Sequence, residues 1–337
     1  MDVWKGVNPN EAEAQLRGLN RRLDELDAAM DDQQAALKER PESFAFQLAG
    51  KSLLVMHNRL RAEKAALLKH RVAERLDLAL DGGAFQNHSA SLGALGALLI
   101  RLQKLYSSIG QALLQGPTLR GPLAGDIISA TELRLAATYP SSFGMSLVVS
   151  RKQDLLEDAL PSASLSTMFS VFSAVGGDDG LMKFSGELGG RSINHLRHIA
   201  AVVARSNSSV QMEWSDSSGI KHYWQADPEE MRAAVTRLSS IKETRSTAMV
   251  CVGRIVGASL LRNRFELKLE DGQVIEGALT APAATAITDL FGKICEAGVD
   301  ETEVADGATG VHKTYYTLTS LKAVTSGPAT ALPQIAP

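Results

Sequence analysis

Apolar residues recur near the start of the chain at alternating spacings of three and four. Leu16, Leu19, Leu23, Leu26, Met30 and Leu37 keep this rhythm, with Gln33 in the missing place. Such a seam predicts a long helix with coiled-coil character. Glu39-Arg40-Pro41-Glu42-Ser43 interrupts it and lets proline open a second helix, in which Phe46, Leu53, Leu60 and Leu67 return every seven residues with Met56 between them. Residues 10–75 are therefore expected to form an antiparallel helical hairpin. Its first arm carries Asp24, Glu25, Asp27, Asp31 and Asp32, and its second Lys51, Arg59, Arg61, Lys64, Lys69, Arg71 and Arg75. Opposite charges on the two arms favour pairing within one chain. A thin hairpin still needs a surface to lie on, either the body of the protein or a second copy, so a homo-oligomer, most simply a dimer, is expected.

From 76 to 241 the periodicity keeps changing. Leu76, Leu78 and Leu80 alternate with Asp77, Ala79 and Asp81 before Gly82-Gly83, which reads as an edge-like strand and a turn. Leu92, Leu95, Leu98, Leu99, Leu102, Leu105 and Ile109 mark an amphipathic helix that ends near Gly116-Pro117. A β-hairpin is expected from Glu132 to Val149, helices around Leu165–Ala174 and Ile193–Ala204, and a second hairpin from Val210 to Ala226. In that second hairpin Trp214 and Trp224 are expected to face each other across the strands. Asp227-Pro228-Glu229-Glu230 then opens a helix. Helices alternate with antiparallel pairs, so this region reads as a two-layer α+β domain.

Ala248 to Val324 changes character again. Phe265, Leu267 and Leu269 alternate with Arg264, Glu266 and Lys268, Glu270-Asp271-Gly272 makes a tight turn, and Val274 to Leu279 returns. Pro282 starts a short helix with Ile287, Leu290 and Phe291 on one face, and two strands follow, Lys293–Val304 and Lys313–Val324. Three strands, a helix and two strands over 247–325 resemble an OB-like small β-barrel, a resemblance of fold alone that covers under a quarter of the chain. The whole reads as an α+β multi-domain protein: hairpin, two-layer α+β body, OB-like barrel, and a flexible tail at 326–337 with Pro328, Pro333 and Pro337.

Charge bears on what such a barrel binds. Residues 247–325 carry 7 Lys and Arg against 10 carboxylates, and the full chain of 337 residues has a net charge of −3. Neither favours a groove that tracks phosphates. Two local patches keep a nucleic-acid alternative open: Arg254, Arg262, Arg264 and Lys268 with Phe265 on the barrel, and Arg59, Arg61, Lys64, Lys69 and Arg71 on the second helix. Tyr315 and Tyr316 offer a stacking face, though core aromatics and solvated basic faces are the ordinary reading of both patches. The two cysteines, Cys251 and Cys295, both fall in barrel strands, and no apolar run suits a signal peptide or membrane span. A cytoplasmic location is expected.

Catalytic signatures are missing. The chain has no GxxxxGK[ST], GxGxxG after a strand, GxSxG or HExxH, and two distant cysteines do not make a zinc site. No catalytic residue, metal or cofactor is assigned. The candidates that remain are His195 and His198, three apart on a helix near Arg191 and Arg197, a spacing suited to a metal or a phosphate group. Asp178-Asp179 within Gly176-Gly177-Asp178-Asp179-Gly180 and the loop Thr118-Leu119-Arg120-Gly121-Pro122 are thinner ones, for a cation and an anion respectively. Structural or surface histidines, an ordinary acidic turn and a plain turn are the favoured readings of the three. An enzyme assembled from His195, His198 and Asp179 is a third reading.

The expectation from sequence is thus a non-enzymatic interaction or scaffold protein. It self-associates through the hairpin and binds a protein partner through the barrel. Single-stranded nucleic-acid binding is the alternative. Ala- and Arg-rich helices beside a compact barrel also resemble bacterial accessory proteins, including those of phage-defence operons, an analogy of architecture.

Overall fold

The computed structural model describes residues 3–40, 42–68, 70–118, 121–150, 159–175, 178–216, 220–260 and 263–324. The chain divides into two compact units, Met1–Leu99 with Ile128–Phe172 and Val202–Met231, and Ile100–Ile127 with Ser173–Ala201 and Arg232–Pro337. The expected tail falls outside the described residues.

The first unit opens with two helices. Asn8 caps α1 (Pro9–Glu39) by accepting from the Asn10 amide, and α2 (Phe44–Leu68) follows. Leu16, Leu19, Leu23 and Leu26 of the expected seam are buried with Leu60 and Leu67 of α2 and with Trp4. Met56 does not join them, being 53% exposed; its neighbour His57 is buried instead and pairs with Asp27 at 3.0 Å. The expected basic face is also shorter than the sequence implies. Because α2 ends at Leu68, Arg71 and Arg75 lie beyond it, Arg75 within the first strand.

That strand, β1 (Ala73–Asp81), is the middle of a five-stranded antiparallel sheet rather than an edge. The order is β4-β5-β1-β6-β7, with β4 (Arg134–Tyr139), β5 (Phe143–Ser150), β6 (Ser209–Ser215) and β7 (Lys221–Ala226). Leu76 pairs with Leu147 on one side and Trp214 on the other. The Gly82-Gly83 turn, which suggested an edge, leads only to the small ribbon β2 (Phe85–Gln86) and β3 (Ser89–Ala90). Both expected β-hairpins form, but in the second the register sets Trp214 opposite His222 and Trp224 opposite Met212. Trp214 therefore stacks on the His222 ring at 4.7 Å, and Trp224 packs on Phe172 of α5 (Ala159–Ala174) at 4.6 Å.

Beneath Trp214 lies a buried polar knot. Arg71 and Glu74 have side chains only 1% and 0% exposed and pair at 3.0 Å. Glu74 also accepts from Trp214 Nε1 (2.9 Å) and Ser162 Oγ (2.7 Å), while Arg71 donates to the carbonyls of Ser215 and Asp216. A charge pair survives in an apolar interior only with its remaining valences filled. Here the backbone leaving β6 and a serine of α5 fill most of them, while Arg71 Nε is buried without a partner.

The second unit ends in the barrel. After α3 (Leu92–Gln115), α4 (Gly125–Ala130), α6 (Asp178–Arg205) and α7 (Pro228–Ser240), the chain enters β8 (Ile241–Ser259), β9 (Arg264–Leu269), β10 (Val274–Leu279), α8 (Ala281–Leu290), β11 (Ile294–Asp306) and β12 (His312–Ala323). The strands close in the order β10-β12-β11-β8-β9, antiparallel throughout except for the β10–β12 pair, so the barrel is mixed and compatible with an OB-like barrel. Inward residues of every strand, among them Ile255, Phe265, Leu267, Ile275, Val299 and Leu318, fill it together with Ala283 and Ile287 of α8. Phe291, expected on the inner face of α8, lies past the end of that helix and is 52% exposed. Cys251 and Cys295 are free thiols on neighbouring strands, each held above the usual thiol pKa chiefly by burial.

Asp300 on β11 is half-buried, and burial raises its pKa. The folded protein then holds this proton more tightly than the unfolded chain does, so stability falls as pH rises from 3.8 through the raised folded value, and the loss is complete above it. Asp300→Asn is expected to melt at higher temperature than the parent at pH 7, the gap closing toward pH 4. Calorimetry over that range checks it, and equal melting at pH 7 refutes it.

Candidate functional site

A groove of about 770 Å³ runs across the outside of the barrel in the second unit. Its floor comes from β8, β9 and β10, with Gly257, Ser259, Arg264, Glu266, Val274 and Glu276, and Thr314 to Tyr316 of β12 continue it. Lys183 and Glu187 of α6 form one wall. The wall stands close because residue 186 is glycine: a Cβ there would fall 2.3 Å from the ring of Tyr315. The sequence pattern placed a helix only from Ile193 onward, so Lys183 and Glu187 were not anticipated. The buried trio Leu181, Ser185 and Leu188 has the helical spacing that would have found them.

The charges of the groove are partly spent on one another. Arg264 Nη2 donates to Glu187 Oε1 at 2.6 Å, and among the described residues Glu266 and Glu276 outnumber the remaining cation, Lys183. Tyr315 is covered by the α6 backbone, and Tyr316 packs partly into the barrel core. Its phenol is raised by burial and by the Glu301 carboxylate, so it stays neutral. No histidine or cysteine lines the groove. What the lining offers is hydroxyls, mixed charge and the exposed apolar side chain of Val274, which suits a polypeptide better than a phosphate chain.

The residues expected to form a nucleic-acid face do not gather there. Phe265 points into the barrel core at 1% exposure, because it shares the inward phase of Leu267. Arg254 and Lys268 are exposed partners across β8 and β9 but do not line the groove. Among the described residues of that patch, Arg264 alone reaches it. In the first unit Arg59 and Arg61 are exposed and Lys64 half-buried, while Arg71 is locked in the polar knot; Arg59 pairs with Glu63 at 3.1 Å. Lys69 and Arg262 lie outside the described residues.

His195 and His198 lie on α6 beyond the groove wall, and the side chains of Asp178 and Asp179 are outside the described residues. Among the described residues no three His, Cys, Asp or Glu side chains are grouped to hold a metal ion, and no helix is long and apolar enough to cross a membrane. A second cavity of about 570 Å³ lies in the first unit, beside Trp4, Arg17 and Trp214. Its charges are mostly matched, Arg75 with Asp77 at 2.9 Å and Lys221 with Glu213 at 2.6 Å. Neither a protein-family model nor a curated protein matches the chain.

Proposed function

We propose that this chain is a non-enzymatic binding protein whose OB-like barrel seats an extended segment of a protein partner in the β9–β10–β12 groove, and which acts as a self-associated assembly. The observation that carries the reading is the groove's lining. Among the described residues its arginine is paired with Glu187, Glu266 and Glu276 outnumber Lys183, and the apolar side chain of Val274 stands exposed beside them. A polyanion would meet net repulsion there. Self-association is supported by α2, where Phe44 (76% exposed), Leu48 and Val55 (69% exposed) share the helix face opposite the buried Leu60 and Leu67. A second copy laid on that stripe would cover it.

The test is light scattering coupled to size exclusion on the full chain, followed by capture of partners from nuclease-treated host extract on wild type and Val274→Glu. The expected result is a discrete oligomer that Val55→Glu dissociates, with a stoichiometric protein held at high salt by wild type and lost by Val274→Glu. A monomer at all concentrations refutes self-association. A single-stranded oligonucleotide bound with steep salt dependence refutes the groove reading.

A further inference from the structure

Thr118 and Gly121 of one weak candidate, the Thr118–Pro122 loop, meet Gly189 and Arg191 of α6, the helix that carries the other, the His195–His198 pair, a few residues further on. Gly189 breaks α6 with φ +80°, and at that point a Cβ would lie 2.9 Å from the Thr118 amide nitrogen, so loop and helix touch backbone to backbone. Two residues on, Arg191 fastens the contact, donating from Nη2 to the Gly121 carbonyl at 2.8 Å and from Nη1 to Gln111 of α3 at 3.2 Å. The next turns of α6 carry His195 and His198, and Arg101 of α3 reaches His195 with Nη1 3.4 Å from Nδ1. Leu119 and Arg120 of the loop lie outside the described residues.

Among the described residues, the charges acting on His195 have one sign. Arg101 and Lys104 face it from α3, and His198 and Arg191 from α6 itself. Burial first, and then these neighbours, push its pKa down to about 4. The imbalance is written into both helices. From Leu92 to Gln115 α3 has no Asp or Glu, and from Leu188 to Arg205 α6 has none either, although the whole chain carries a net −3. Same-sign groups held together, half-buried, on two packed helices repel one another and favour a bound counter-anion. A single carboxylate would leave the seam positive; a dianion with several acceptor oxygens answers guanidinium, ammonium and imidazolium together.

We infer that the seam between α3 and the second half of α6 is a binding site for a phosphate-bearing anion, held by Arg101 and Lys104, with His195 taking up a proton as the anion enters. The site is separate from the barrel groove: the first half of α6 serves the groove and the second half the seam. Because the bound anion stabilises the imidazolium, His195 titrates higher when the site is filled, and affinity strengthens as pH falls toward that raised value. Arg191 is a positioning residue, occupied by its bonds to Gly121 and Gln111.

The experiment uses the full chain with labelled histidine imidazoles, followed by NMR as pyrophosphate is added, with sodium chloride at matched ionic strength as control. His195 is expected to shift saturably and its pKa to rise by about one unit or more. Lys104 is exposed, so Lys104→Glu should keep the fold and weaken pyrophosphate roughly ten-fold or more; Arg101→Gln should do the same. A nucleoside diphosphate and a short thymidine oligonucleotide, run as parallel arms, tell a free phosphate ligand from a nucleic-acid backbone by which competes more tightly. The proposal is overturned if His195 does not move at millimolar pyrophosphate, if chloride reproduces the shift, or if Lys104→Glu binds as wild type does. None of these outcomes bears on the groove.

Discussion

Arg71→Met is expected to destabilise the protein by about 3–5 kcal/mol, because it strands the Glu74 carboxylate in the interior without its cation. Glu74 is 0% exposed, and Arg71 is the cation it pairs with, beside the neutral donors Trp214 and Ser162. Removing the guanidinium also unties the carbonyls of Ser215 and Asp216, which it holds where the chain leaves β6. Urea unfolding followed by tryptophan emission checks this, since Trp214 donates to the same carboxylate. The pair Arg71→Met with Glu74→Leu should recover much of the loss, as apolar replacements of buried ion pairs often do. A loss under about 1 kcal/mol for the single change would show that water reaches Glu74 and that the knot is not dry.

Gly277→Ala is expected to cost the barrel about 2–3 kcal/mol or more through overpacking. The β10–β12 contact is the single parallel pair of the barrel, and its register covers only Ala278 with Thr317 and Leu279 with Leu318. A Cβ at 277 would sit 2.0 Å from the carbonyl oxygen of Tyr316, and backbone cannot swing aside as a side chain can. The seam would open where the ring of strands closes. Thermal melting of the full chain should then show a barrel transition that moves down while Trp214 emission, which reports the first unit, keeps its midpoint. Unchanged melting would mean that the two strands separate without penalty.

How much of this was legible beforehand depended on how far apart the interacting residues lie in the chain. Two barrel strands announce themselves because Arg264–Leu269 and Val274–Leu279 each alternate over six residues and meet across a short turn. The buried seam of α1 is legible for the same reason, since four leucines one helical turn apart are a local signal. The same alternation already argued against Phe265 as a stacking residue, for it shares the phase of Leu267 and must turn inward whenever Arg264 and Lys268 turn outward. The central position of β1 had no local signature, because its partners stand in β5 and β6, far down the chain. Nor did the second half of the anion seam, where Arg101 reads as an ordinary surface arginine until α6 is packed beside it. The groove's wall was hidden by glycines: Gly186, Gly189 and Gly190 look like a turn in sequence, yet the helix runs through them with a single break.

The place of β1 has a consequence for how the protein is made. Emerging early from the ribosome, Ala73–Asp81 waits for Phe143–Ser150 before one edge is paired, and for Ser209–Ser215 before the other is. During that interval a strand with Leu76, Leu78 and Leu80 on one face shows open hydrogen-bonding edges to whatever is nearby. Nascent chains stalled short of Ala226 should therefore clump or be held by chaperones, whereas Ile241–Ala323, whose pairings lie within one run of sequence, can close in a single late step once it is released.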